Sequence, residues 1–196
     1  MGSVGRLIGS GLSVSPWAFS FPCGGARFES VHLIVHSIGN ALLSHLMEQA
    51  GTRLSTRQKA GIDQLILAAP DIDRAVFEQV SQHFKRHSKA VTLYASSTDI
   101  ALHVSETIRA AYPRAGDVPE DGPITVEGVD TMDVSLVESG LFGLKHSSYG
   151  DNDRVINDVI ARIKGFHLPP DKRLTDVELL TASNGSGYYK FKNVKR

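Results

Sequence analysis

The sequence predicts an α/β fold, a parallel sheet with helices on both faces. Short β-branched apolar runs at 31–35, 65–69 and 91–95 each read as a strand buried on both sides. Behind each run, or after a short polar turn, stands a stretch that reads as a helix, most of them with apolar residues recurring at helical spacing. Strands and helices alternating in this way build parallel sheets.

Taken in order, residues 1–28 are rich in glycine and serine, show no sustained period and read as an irregular segment. Val31-His32-Leu33-Ile34-Val35 is the first strand, and Ile38, Ala41, Leu42, His45 and Leu46 mark the apolar face of the helix behind it, with Gly51 as a stop. Leu65-Ile66-Leu67-Ala68-Ala69 is the second strand, closed by Pro70. Asp71 or Asp73 can cap the next helix, whose core face is Val76, Phe77, Val80 and Phe84. Val91-Thr92-Leu93-Tyr94-Ala95 is the third strand, followed by a Ser-Ser-Thr-Asp turn and a helix from about 100 to 110. A Gly-, Pro- and Asp-rich loop spans 112–123, and 124–135 reads as a fourth strand. Val155, Ile156, Val159, Ile160 and Ile163 form the apolar stripe of a last helix, with Gly165 behind it. The domain is expected over 29–168, with 169–196 as a tail holding an extended segment at Tyr188, Tyr189 and Phe191.

Composition narrows the function classes. Lysine plus arginine equals aspartate plus glutamate at 21 each, so the chain lacks the basic excess that nucleic-acid or membrane-surface binding calls for. The basic residues Lys190, Lys192, Lys195 and Arg196 read as a solvated tail. The single cysteine, Cys23, forms no internal disulfide and lies between loop-forming residues, which points to an incidental thiol. No run reaches the roughly 18 apolar residues of a membrane helix, and the N-terminal apolar stretch is too interrupted for a secretory signal, so the cytoplasm is the expected compartment. Metal-ligand clusters and phosphate-binding glycine loops are missing from the sequence, and neither a metal nor another cofactor is expected.

The chemistry concentrates at Val35-His36-Ser37-Ile38-Gly39, where a buried strand passes directly into a helix. A serine on such a turn projects its hydroxyl above the sheet, and the N–H of Ile38, at the helix N-terminus, is set to receive a developing oxyanion. Gly39 lets the turn close; Val35 stands where a smaller residue is usual. Chain order supplies the partners: Asp99 follows the third strand and His146 follows the fourth, each in a loop after a strand's C-terminal end. The expected roles are Ser37 as nucleophile, His146 as general base and Asp99 as the acid that orients the imidazole. Asp71, which also follows a strand, is the alternative acid. Of the other histidines, His32, His45, His83, His87 and His103 read as packing or surface residues, His167 as a loop residue, and His36 as pointing away from the turn. Asp130 and Asp133 read as local hydrogen-bond partners.

Val31-His32-Leu33-Ile34-Val35-His36-Ser37-Ile38-Gly39-Asn40 resembles the "VHLIAHSMGN" elbow of a bacterial α/β-hydrolase family of esterase/lipase type, catalogued as a domain of unknown function. Leu67 to Asp73 resembles its "LAAPDID", and Val91 to Ser97 with Asp99, Ala101 and Leu102 is similar to its "VTLYASSxDxAL". Residues 113–117, 128–135 and His146-Ser147 with Tyr149 continue the resemblance, which spans about 29–192. It implies an eight-stranded hydrolase sheet, a triad at Ser37, Asp99 and His146, and a small ester-like substrate. The family's upstream "HGYN"-like loop, source of a second oxyanion donor, has no counterpart here, and Ala41 replaces the arginine after "GN". The first half of the sheet is therefore expected to be missing, leaving 31–35 as an open edge prone to self-association. Two other readings follow: a truncated non-catalytic relative acting as a binding module or persisting as a gene fragment, and an unrelated α/β binding domain.

Overall fold

A computed structural model describes residues 30–53, 61–97, 113–137, 153–165 and 168–193. Its elements are β1 (His32–His36), α1 (Gly39–Arg53), β2 (Ile62–Ala68), α2 (Arg74–His87), β3 (Ser88–Ala95), β4 (Asp130–Asp133), α3 (Asp153–Ile163), α4 (Pro170–Arg173), β5 (Val177–Thr181) and β6 (Gly187–Phe191). Six strands form one sheet in the order β1-β2-β3-β4-β6-β5. All neighbours are parallel except β5 and β6, which form an antiparallel hairpin.

Alternation along the strands splits the core in two. Leu65 and Leu67 of β2 and Val91 and Leu93 of β3 pack under α1 and α2, against Leu43, Met47, Phe77, Val80 and Phe84. Ile66 and Tyr94 face the other way and meet Met132, Val155, Val159, Val177 and Phe191. Helices thus cover both faces, as the sequence predicts. Asp73 caps α2, its Oδ1 accepting from the N–H of Ala75 at 2.8 Å and of Val76 at 3.2 Å, and Asp71 does not.

Several elements differ from the sequence reading. The inward face of α1 is Asn40, Leu43, Ser44 and Met47, one position round from the expected stripe, and Ile38 and Leu42 stand 74% and 59% exposed. On α2, Val76 is exposed while Phe77, Val80 and Phe84 are buried. The fourth strand shrinks to Asp130–Asp133, because 124–129 turns at Gly128, whose φ of 78° an extended strand does not tolerate. Residues 169–196, read as a tail, contribute α4 and the β5–β6 hairpin; β6 lies beside β4 in the sheet. Lys190 is accordingly not a tail residue: its ammonium sits 2.9 Å from the buried Asp133 carboxylate, the pair facing across β4 and β6. That contact raises the Lys190 pKa above its ordinary value. Helix 100–110 lies outside the described residues. No helix among the described residues is long and apolar enough to cross a membrane.

The α3 face is held by charge as much as by apolar packing. Arg173 reaches Asp158 with Nε and Nη2 at 2.6 and 2.9 Å, and both side chains are buried. The Tyr94 hydroxyl donates to the same carboxylate at 2.7 Å. Burial, reinforced by Asp158, pushes this phenol well above its ordinary pKa, so it remains a donor. Arg162, buried one turn along α3, pairs with Asp130 of β4. Asp130 is therefore paired across the fold, and Asp133 bonds both to the distant Lys190 and locally to Ser135. Removing one member of such a pair strands a charge in a dry site, at a cost of about 3–5 kcal/mol. Arg173→Met is expected to lower the unfolding free energy by about that amount in urea denaturation, and a loss below about 1 kcal/mol would contradict a buried Arg173–Asp158 pair.

Candidate active site

The strand-to-helix junction is a sharp turn with an unusual backbone. Ser37 has φ 49°, in the left-handed region, and is one of two described non-glycine residues with positive φ. A side chain there costs about 1–2 kcal/mol, so the surrounding structure must hold it in place. The Ser37 N–H donates to the Ala68 carbonyl at 3.0 Å, fixing the turn to the end of β2. The Ser37 carbonyl accepts from the N–H groups of Asn40 at 3.0 Å and Asp71 at 3.3 Å.

Asn40 completes the clamp. Its buried side-chain amide donates to the carbonyls of Ser37 at 3.0 Å, Val35 at 3.2 Å and Ala68 at 3.5 Å. One amide thus gathers the last turn of β1, the elbow and the end of β2. Sequence reasoning missed this residue; the available signal was its place directly after Ser-x-Gly. Gly39 has a steric role here. A Cβ on it would lie 3.2 Å from Val35 Cγ1, so the valine at 35 makes glycine at 39 more necessary.

Helix α1 starts immediately behind the turn and carries no acidic residue in its first turn. Its positive end therefore meets no acidic side chain within that turn. The carbonyl of Ile38 accepts from Ala41 N at 3.0 Å, while its own N–H meets no backbone carbonyl among the described residues.

The neighbouring loops are laced along the same rim. Gly116 N–H donates to the Pro70 carbonyl at 3.0 Å, and its carbonyl accepts from Ser96 N at 2.9 Å. No side chain fits at 116, since a Cβ would come within 2.6 Å of the Ala69 carbonyl carbon. Beyond β3, Ser97 N–H donates to Ser135 Oγ at 2.9 Å, tying the chain just before Asp99 to the loop after β4. Asp71 sits on this rim, half exposed, with Oδ1 3.3 Å from Arg114 Nε. His36 is exposed. Ser37 and Ile38 thus share one turn, with the Asp71 backbone against it; Asp99 and His146, like Cys23, lie outside the described residues. Among the described residues no cluster of three or more His, Cys, Asp or Glu could hold a metal ion.

A family model described as an alpha/beta hydrolase of unknown function (DUF900) matches residues 25–163. The chain belongs to this family. Comparisons with curated proteins and with solved structures gave no match. In this alpha/beta hydrolase the matched stretch runs from before β1 to the end of α3, and includes the positions of Ser37, Asp99 and His146. The β5–β6 hairpin lies beyond it, short of the resemblance to about 192 read from the sequence.

The strain at position 37 makes a prediction opposite to most substitutions. Ser37→Gly relieves the left-handed penalty and incurs the smaller entropic cost of glycine, about 0.5–1 kcal/mol. It is expected to raise the melting temperature slightly, while Ser37→Ala leaves it near that of the parent. A Ser37→Gly variant that melts well below Ser37→Ala would show that the turn is not strained.

Proposed function

We propose that this alpha/beta hydrolase is a serine hydrolase that cleaves carboxylic esters through an acyl-enzyme. Ser37 is the nucleophile, His146 the general base and Asp99 the acid. The observation that carries this reading is the positive φ of Ser37 on a turn between a buried strand and a helix. Strained non-glycine backbone of this kind concentrates where chemistry is done.

Two further points support it. The partners follow the nucleophile in the order acid then histidine, as this fold requires. The chain leading to Asp99 leaves the sheet at the end of β3, two strands from β1. At about 4.8 Å per strand that separation is about 10 Å, room for one imidazole between a hydroxyl and a carboxylate. Asp71, the alternative acid, is one strand nearer and already paired with Arg114, which favours Asp99.

In the proposed reaction Ser37 Oγ adds to the ester carbonyl carbon as its proton passes to the His146 imidazole. The oxyanion accepts the Ile38 N–H. Collapse of the tetrahedral species breaks the acyl–oxygen bond, and His146 returns the proton to the departing alcohol. Water then adds to the acyl-enzyme in the same way and releases the acid, and Asp99 stabilises the imidazolium in both halves. A non-catalytic relative serving as an interaction module is the second reading, favoured by Ile34 of β1, which is 47% exposed at the end of the strand order among the described residues.

A fluorophosphonate probe separates the two. The catalytic reading expects a covalent adduct on the Ser37 peptide, absent in Ser37→Ala and strongly reduced in His146→Ala. Folded protein that stays unlabelled would overturn it and leave the interaction module.

A further inference from the structure

The ladder between β3 and β4 ends on a side chain where its pattern calls for a backbone carbonyl. The two strands are parallel with Ala95 opposite Asp133, and the Val134 N–H donates to the Ala95 carbonyl at 2.9 Å. By the alternation of a parallel ladder, the next bond would run from the Ser97 N–H to the Val134 carbonyl. That carbonyl instead accepts from the Val137 N–H at 3.0 Å, as the chain turns. The Ser97 N–H goes to Ser135 Oγ at 2.9 Å. A hydroxyl thus makes the tie two residues before Asp99.

A serine hydroxyl is free to rotate unless its proton is committed. Here it is. The fully buried Asp133 accepts on Oδ1 from the Ser135 N–H at 2.9 Å and from the Ser135 hydroxyl. A carboxylate only accepts, so the Ser135 proton points at Asp133 and the lone pairs of its oxygen are left for Ser97. The Asp133 charge is held in turn by Lys190, its register partner on β6, whose Nζ lies 2.9 Å from Oδ2. A carboxylate so deeply buried needs such a cation to stay charged. Lys190, Asp133, Ser135 and Ser97 therefore form one chain of contacts from the C-terminal hairpin to the end of β3. Its first member lies beyond residue 163, where the family match stops.

We propose that Ser135, oriented by Asp133 and Lys190, is a positioning residue that fixes where the chain carrying Asp99 leaves the sheet, and so aligns that carboxylate with the His146 imidazole. The inference deepens the triad reading and rests on it. Its effect on the reaction runs through Asp99. A carboxylate that stabilises an imidazolium must stand in line with it, and a displacement of about 1 Å can cost about a hundredfold in rate. The hairpin of β5 and β6 then serves the chemistry as well as the sheet, because it supplies the cation that keeps Asp133 charged.

The test follows the rate of fluorophosphonate labelling at Ser37 in the full chain as a function of pH. Labelling needs a neutral imidazole, so the rate rises with pH through the titration of His146. A well-placed Asp99 favours the imidazolium and holds that rise at higher pH. Ser135→Ala is expected to slow labelling about ten- to a hundredfold and to move the half-maximal pH down by about one unit. Ser135→Thr, which keeps the hydroxyl, should restore both. Lys190→Met should act in the same direction; where it fails to fold, Ser135→Ala, which leaves the Lys190–Asp133 pair intact, decides. Amide exchange at Ser97 should quicken in Ser135→Ala and recover in Ser135→Thr. A Ser135→Ala variant that keeps the parent rate, that loses rate without moving the pH profile, or that leaves Ser97 exchange unchanged would overturn the proposal while the triad stands. Parent protein that takes no probe at Ser37 would overturn the triad, and this inference with it.

Discussion

The rim of this sheet depends on one side-chain amide. Asn40 donates to carbonyls of β1, the elbow and β2, adding to the backbone hydrogen bonds that hold the left-handed turn at Ser37. The same contact sets the rotation of α1. With Asn40 turned inward, Leu43, Ser44 and Met47 follow it into the core, while Ile38 and Leu42 face outward. A local clamp thus ties the backbone of the elbow to the helix face that is buried.

The two sides of the sheet are built on different principles. Under α1 and α2 the filling is aliphatic and aromatic, and Phe77 and Phe84 approach with ring centroids 6.0 Å apart. Under α3, apolar packing shares the space with the buried charges of Asp158, Arg162 and Arg173. Buried ion pairs add little net stability, but losing one partner is costly. Here they tie α3 to α4 and β4. Arg154 adds a tie to the C-terminal hairpin, pairing with Asp176 and lying 4.6 Å over the Phe191 ring. The sheet beyond β3 is therefore held by contacts from outside the family match, since α4, β5 and β6 all follow residue 163.

Much of this fold was legible because parallel strands buried on both faces read as unbroken β-branched runs. The central parts of β2 and β3 stand out for that reason; their starts do not, since Asp63, Gln64, Ser88 and Lys89 are polar. Periodicity located α3 and, in Val155 and Val159, part of its buried face. Ile160 and Ile163 are exposed while Asp158 and Arg162 are buried, and nothing local distinguishes a charge paired across the fold from one in water. The hairpin had a readable signal in Asn184-Gly185, where Gly185 takes φ 81° between two strand-like runs. At the elbow, Ser37 and its helix were evident from pattern. The Asn40 clamp was not, because it joins residues that only the folded sheet brings together.

The proposed function rests on one relay: the strained serine after β1, a carboxylate from the chain after β3 and an imidazole from the chain after β4. The most direct measurement is a crystal structure giving the separation of the His146 imidazole from Ser37 Oγ and from the Asp99 carboxylate. The account predicts both within hydrogen-bond reach, about 2.6–3.2 Å or modestly longer without substrate. An imidazole on the opposite side of the sheet from Ser37 would contradict it.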